Sequence, residues 1–240
     1  MKAMVLCAGY GTRLGDLTRE VPKPMLSVGD RPMLEHILCH LKRHGFDQVV
    51  VNLHFMPEVI QNHFAEGTRW GLQLTYSHEP QLLGTAGGTK KMEPFFSGDE
   101  PFLVQYGDIV TNQDFTAMLR FHRERGALAT LLVHRRAVSN SAISIDAEGR
   151  IERFLERPSD AQRSTVSEAW VFSGITICQP ELLALIPAAT VCDFPRDVFT
   201  PLAGTGRLLA FPLTHQRVAV DSPQRLAEAR RGVAEGWFEE

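Results

Sequence analysis

The sequence predicts an α/β chain with a doubly wound, mixed and mostly parallel sheet, and three observations predict it. Short apolar runs at 4–8, 48–53, 72–76, 101–105 and 127–133 read as strands, with stretches of helical period between them. Alternation at this spacing favours parallel pairing, because each helix carries the chain back to start the next strand in the same direction. Glycine or acidic residues follow three of the runs, at Gly9, Gly84 and Gly107-Asp108. Ligands of such sheets bind beyond the carboxyl ends of the strands, so these three features are expected to converge.

Each element has its own signal. Residues 27–31 read as a turn, and Pro32 suits the first position of a helix with Met33, Ile37, Leu38 and Leu41 on its apolar side and Gly45 at its end. His36, His40 and His44 recur every four residues there. Glu35 is their only acidic neighbour at ligand spacing, so they read as a solvated or half-buried face rather than a metal site. Residues 57–64 form a short helix, Gly84 to Gly88 lead into a helix carrying Lys90 and Lys91, and 115–125 form a helix closed by Gly126. From about residue 140 the texture changes. Residues 143–151 read as a hairpin, and 168–178 as a strand interrupted at Ser173-Gly174. Helices follow at 180–185 and 194–202, short strands at 208–211 and 217–220, and a terminal helix at 222–234.

Composition excludes several classes. With 240 residues there is ample chain for a packed core, and no linker, repeat or low-complexity segment divides it. A net charge of −3 gives no field to attract nucleic acid or an acidic membrane. Cys7, Cys39, Cys178 and Cys192 are far apart, as expected of reduced thiols in a cytoplasmic protein. Met1-Lys2 leads straight into the first strand, so no signal peptide is expected, and no apolar run is long enough to span a bilayer.

Chemistry concentrates in Leu6-Cys7-Ala8-Gly9-Tyr10-Gly11-Thr12-Arg13-Leu14 and Val21-Pro22-Lys23-Pro24-Met25. Glycines let successive amides converge on an anion, and Arg13 and Lys23 add a forked and a point cation. Together they describe a polyphosphate cradle. The dinucleotide fingerprint fails because Leu14 stands where its third glycine belongs, and no Gly-Lys-Ser/Thr of a P-loop follows. Cys7, inside the strand, reads as a small apolar filler.

The string Gly-Tyr-Gly-Thr-Arg-Leu, followed by Leu17-Thr18 and Pro22-Lys23-Pro24, resembles the signature of the sugar-1-phosphate nucleotidyltransferases. The resemblance covers nearly the whole chain and is most specific over 4–25 and 83–108. It implies a Rossmann-like nucleotidyltransferase fold as one domain over 1–240, with a nucleotide-binding half to about residue 135 and a sugar-binding half beyond. It also implies that a nucleoside triphosphate and a sugar-1-phosphate become a nucleotide sugar and pyrophosphate, by in-line attack on the α-phosphorus with Mg²⁺ as cofactor. Arg13, Lys23 and Asp108 are the catalytic candidates. Leu6, Ala8, Gly9, Gly11 and Thr12 join Arg13 and Lys23 in holding the nucleotide, with Gly107 beside them. Glu79, Gln81, Gly84 and Thr85 fall in an element that resembles the family's base-binding E-x-x-L-G-T-A-G.

Asp108 matches the family's metal-binding aspartate. The usual second aspartate position holds Ala219, while Asp221 occupies the place of a glycine, as in a Val-Asp-Thr-Pro version found in related cytidylyltransferases. Asp221 is therefore expected to serve; its other reading is a cap for the terminal helix. Phe154-Leu155-Glu156-Arg157-Pro158 resembles F-x-E-K-P, which assigns Glu156 to the sugar and Arg157 to its phosphate, with Asn140, Ser173 and Gly174 nearby. Leu-Gly-Thr-Ala-Gly is similar to mannose-1-phosphate guanylyltransferases and favours GTP with a mannose-1-phosphate-like acceptor. Phe172-Ser173-Gly174-Ile175 is similar to muramate-1-phosphate uridylyltransferases, so UTP with an amino-sugar-1-phosphate stays open. Ala219 also leaves open a catalytically weak, nucleotide-sugar-binding regulatory subunit. The expected setting is cytoplasmic, with no nucleic-acid or membrane partner and with room for a homodimer. With the chain ending at Glu240, no β-helical domain is expected after it.

Overall fold

The computed structural model describes residues 1–166 and 170–238. In chain order the regular elements are β1 (Lys2–Leu6), β2 (Ser27–Val28), β3 (Arg31–Pro32), α1 (Met33–Arg43), β4 (Gln48–Leu53), α2 (Pro57–Phe64) and β5 (Gln73–His78). These are followed by α3 (Gly84–Lys91), β6 (Phe102–Tyr106), β7 (Ile109–Thr111), α4 (Phe115–Arg125), β8 (Ala129–Arg135), β9 (Ser141–Ile145), β10 (Ile151–Glu156) and α5 (Asp160–Arg163). The last are β11 (Trp170–Cys178), α6 (Thr200–Leu202), β12 (Leu208–Pro212), β13 (Arg217–Ala219) and α7 (Pro223–Ala234). None of the described helices is long and apolar enough to cross a membrane.

The chain forms two compact units, each assembled from separated segments. The first comprises Met1–Leu82, Gln105–Phe115 and Thr214–Glu240, and the second Leu83–Val104 and Thr116–Leu213. The chain thus passes from one unit to the other after Leu82, Val104, Phe115 and Leu213, because three-dimensional pairing regroups segments that are remote in sequence.

In the first unit β1 pairs β4 and β4 pairs β5, both parallel, as the βαβ pattern predicts. Ala3, Met4 and Val5 and the run Val49 to Val51 are fully buried, as expected of strands covered on both faces. On α1 the apolar positions Met33, Leu34, Ile37, Leu38 and Leu41 are sealed from solvent. Two of its histidines are more deeply placed than the sequence suggests. The Nε2 of His36 lies 2.7 Å from the Val28 carbonyl and that of His40 lies 2.9 Å from the Gln113 carbonyl, and both rings are buried. Each Nε2 is a proton donor to main chain, and among the described residues no group of three or more His, Cys, Asp or Glu side chains is placed to hold a metal ion. In place of a plain turn, residues 27–32 form the small β2–β3 hairpin, and Pro32 precedes α1 as its N-cap.

The second unit is mainly antiparallel: β9 with β10, β11 with β8 and β11 with β9, whereas β12 runs parallel to β8. The sheet is thus mixed, as predicted. β11 breaks register against β8 between Phe172 and Thr176, where Gly174 takes a φ of 76°, matching the interruption read at Ser173-Gly174. The early part of the strand expected over 168–178 includes residues outside the described ones. Residues 194–202, expected as one helix, are a π-turn over Phe194–Phe199 running into α6, and 180–185 are 3₁₀.

Candidate functional site

Between β1 and the first 3₁₀ turn (Thr12–Thr18), the loop from Cys7 to Gly11 turns on one left-handed glycine. Gly11 has φ 68°, and a Cβ there would lie 3.0 Å from the Lys23 Cβ, so its lack of a side chain lets the loop pack on Lys23. At Gly9, by contrast, an added Cβ would meet no protein atom within 4 Å. The fold does not demand glycine there; close approach of a ligand would. Pro22 and Pro24 hold a tight turn (Lys23–Met25), which fixes the direction of the lysine.

Lys23 is the most enclosed charge of the loop region. Its Nζ lies 2.6 Å from Asp108 Oδ2, with side chains only 11% and 24% exposed. Asp108 follows Gly107, whose N–H donates to the Leu6 carbonyl at 2.9 Å. A Cβ on Gly107 would fall 2.5 Å from Cys7 Sγ and 2.7 Å from Leu6 O. The end of β6 can therefore lie against the end of β1 only because residue 107 is glycine, and that closeness carries Asp108 to Lys23. Burial, reinforced by the Asp108 carboxylate, pushes the Cys7 thiol far up, so Cys7 stays a neutral filler as expected.

Asp221 reaches the same region from the end of the chain. β13 pairs antiparallel with β7, Ala219 opposite Ile109, and the Val220 N–H donates to the Asp108 carbonyl at 2.8 Å. Asp221 Oδ2 lies 3.5 Å from an Arg13 nitrogen, both side chains well exposed. The cap of α7 is Ser222, whose Oγ accepts from the Arg225 N–H, which frees Asp221 from the capping role. One unit thus gathers Gly9, Gly11, Arg13, Lys23, Gly107, Asp108 and Asp221. Leu6 contributes its carbonyl to Gly107, Ala8 is buried in the loop, and Thr12 and Gln81 are exposed. Glu79 is 2% exposed, and its Oε1 accepts from Asn52 Nδ2 at 2.7 Å.

The remaining candidates lie in the second unit. Gly84, at φ 74°, opens α3, and a Cβ there would strike the Cys192 carbonyl at 2.6 Å. That carbonyl accepts from the N–H groups of Ala86 and Gly87 at 2.9 Å, while Asp193 Oδ1 accepts from the Thr85 N–H at 3.0 Å and from its hydroxyl at 3.2 Å. The donors at the start of α3 are therefore satisfied by the Cys192-Asp193 segment. Arg157 holds a left-handed φ of 46°, unusual for a non-glycine, and its N–H donates to the Asn140 carbonyl at 2.6 Å. Its guanidinium sits 3.5 Å from Glu156. Burial raises the Glu156 carboxyl, Arg157 opposes that, and the Asp193 carboxylate adds to it. Ser173 is fully buried, its hydroxyl 2.8 Å from His134 Nδ1.

Sequence reasoning missed Asn52 and His54, which hold the loop from the end of β4. A polar residue in the otherwise apolar end of 48–53, at a carboxyl end, was the available signal. It also missed β7, too short for any periodicity.

A family model described as nucleotidyl transferase matches residues 2–207. A UTP–glucose-1-phosphate uridylyltransferase from Synechocystis is 36% identical over 222 residues, covering 86% of this chain and 56% of that protein. A mannose-1-phosphate guanyltransferase beta-B from Xenopus laevis is 32% identical over 218 residues, covering 89% and 59%. An N-acetylmuramate alpha-1-phosphate uridylyltransferase from Neisseria meningitidis is 35% identical over 194 residues, covering 80% of each. The chain thus spans less than two thirds of the Synechocystis and Xenopus proteins. In fold it is similar to a UDP-glucose pyrophosphorylase solved with UDP-glucose (TM-score 0.82, 17% identity, 98% of both chains). It is likewise similar to HddC from Yersinia pseudotuberculosis solved with GMP-PN (TM-score 0.79, 19% identity, 97% of this chain and 99% of that one).

Proposed function

The chain belongs to the nucleotidyl transferase family, and on that premise we propose that it joins a nucleoside triphosphate to a sugar-1-phosphate, releasing pyrophosphate. The observation that carries the reading is the enclosed Lys23–Asp108 pair beneath the Gly9–Gly11 loop. Transfer of this kind needs no protein nucleophile; it needs two anions held together and their charge offset. The loop amides from Ala8 to Thr12, with Leu6 and Gly107 behind them, and the cations of Arg13 and Lys23 supply that for the triphosphate. Gln81, Gly84 and Thr85 are the proposed neighbours of the base. Glu156 is proposed to accept from sugar hydroxyls and Arg157 to take the sugar phosphate, with Asn140, Ser173 and Gly174 shaping that end.

Asp108 and Asp221 fit Mg²⁺ in donor chemistry. They are hard carboxylates on backbone joined by the Val220 N–H to Asp108 C=O bond, each with one oxygen engaged by a cation in the contacts above. One or two carboxylates plus phosphate oxygens are what this ion takes. Bound there, it would neutralise the charge that develops on the phosphates. Lys23 and Arg13, now on those carboxylates, are proposed to turn to the same phosphates when they bind.

GTP with a mannose-1-phosphate-like acceptor is favoured by Leu83-Gly84-Thr85-Ala86-Gly87, and UTP with an amino-sugar acceptor such as muramate-1-phosphate is the next pair, to which the Synechocystis relative adds glucose-1-phosphate. The cytoplasm, where such substrates occur, is the proposed setting. Ala219 favours one other reading, a weakly active nucleotide-sugar-binding regulatory subunit. Pyrophosphate release across a grid of triphosphates and sugar-1-phosphates separates them. Turnover with one pair supports the transferase, and nucleotide binding with no turnover for any pair leaves the regulatory reading.

A further inference from the structure

Two tethers hold the glycine loop, and both end on Glu79. At the root, the Cys7 N–H donates to Asn52 Oδ1 at 2.6 Å, and Asn52 Nδ2 donates to Glu79 Oε1 at 2.7 Å. Near the tip, Tyr10 Oη lies 2.6 Å from His54 Nε2, and His54 Nδ1 lies 2.6 Å from the Glu79 carbonyl. A carbonyl only accepts, so Nδ1 carries a proton in that bond, and Nε2 shares a hydrogen bond with the tyrosine hydroxyl. The Tyr10 ring also meets His54 edge-on at 4.9 Å and Phe55 at 5.9 Å. Glu79 is itself fixed, its N–H donating to the Leu53 carbonyl at 2.8 Å.

We infer that Tyr10, His54 and Glu79 are positioning residues that hold the loop ready for phosphates, so that Glu79 governs triphosphate affinity instead of reading the base. The inference rests on the nucleotidyl-transfer reading and gives Glu79 a different task within it. A glycine-rich loop loses much conformational freedom when it orders. Tethers at both ends move that loss from the binding step to folding, which tightens any ligand that engages the loop amides. A contact to the base would act only on ligands that have one.

Inorganic tripolyphosphate, which has no base, separates the two roles by calorimetric titration of the full chain. Y10F and H54A are each expected to weaken tripolyphosphate and GTP alike by about tenfold, and the double variant little further, because both cut one tether. Y10F should melt at the wild-type temperature, since its hydroxyl lies at the surface. E79Q keeps both acceptors and should leave the GTP-to-UTP affinity ratio within about twofold. The ¹⁵N spectrum should show His54 with a proton on Nδ1, and a bare Nδ1 with the proton on Nε2 would overturn the inference. Unchanged tripolyphosphate affinity in Y10F and H54A, or a shift in base preference in E79Q, would overturn it as well. Wild type that binds neither tripolyphosphate nor any nucleoside triphosphate, with His54 nonetheless protonated at Nδ1, removes the transferase reading and this role for the tethers together.

Discussion

In the first unit, Lys23 meets Asp108 at 2.6 Å with both side chains mostly enclosed; in the second, the Arg157 guanidinium is 81% exposed and reaches Glu156 at 3.5 Å. The first pair is fixed by close backbone approach at Gly107 and by a proline-bounded turn. The second stands on a strained left-handed residue at the end of β10. A pre-set pair suits a partner of invariant shape, such as phosphate. An open arginine with several rotamers suits partners that vary. The candidate phosphate end is built rigidly, and the candidate sugar end loosely.

The largest expected effect tests the rigid end. Asp108→Asn should lower kcat by about a thousandfold, equivalent to roughly 4 kcal/mol, with unfolding temperature near wild type. Lys23→Ala should cost about a hundredfold in kcat/KM for the triphosphate, a scale set by loss of one preorganised charge donor. If either loses less than Arg157→Ala does, the contrast between the ends is reversed.

Two glycines sharpen the same comparison. Gly84→Ala adds a Cβ against the Cys192 carbonyl at a left-handed φ and should destabilise by about 1–3 kcal/mol, read as a lowered melting temperature. Gly9→Ala meets no protein atom, so it should melt like wild type and lose about tenfold in triphosphate affinity. Equal melting of the two variants would contradict this.

Acid should weaken both units. Burial, with His44 nearby, pushes His40 of the first unit down to about 3, and burial, with Arg123 nearby, pushes His122 of the second down to about 4. Below the unfolded value of about 6.5, the unfolded chain takes up the protons that the native chain refuses. Their stabilisation is therefore complete above about pH 6.5 and declines by up to about 1.4 kcal/mol per pH unit for each ring, until pH reaches its folded value. Melting curves between pH 7.5 and 5 check the slope; a flat profile would show that the rings are charged or exposed. The smallest effect is expected for Arg157→Lys, about threefold to tenfold in KM for the sugar phosphate, because charge is kept and the fork is lost.

Much of this was legible. Residues 48–53, 57–64 and 115–125 declared themselves by period and by Gly or Pro punctuation, and their bounds agree with the structure. Lys23 and Asp108 could be singled out by local context. Their pairing could not, because it depends on the space left by Gly107 between two strand ends. The burial of His36 and His40 was hidden for a related reason: their acceptors, Val28 and Gln113, are main-chain carbonyls that carry no sequence signal. The strand read at 217–220 is there as β13, but its three-residue partner β7 carries no period of its own and is seen only through that pairing. The regrouping of the chain into interleaved units is likewise invisible to any local window.

That short β7–β13 ladder has a consequence for synthesis. A ribosome releases Asp108 and Lys23 well before Asp221, so the nascent chain displays half of its proposed cation-holding pair while much of the second unit is still being made. Only when residues 217–221 emerge and zip onto 108–111 can the second carboxylate take its place. The proposed cation site is therefore completed by a segment made well after its first carboxylate, and the β7–β13 pairing is the step that joins them.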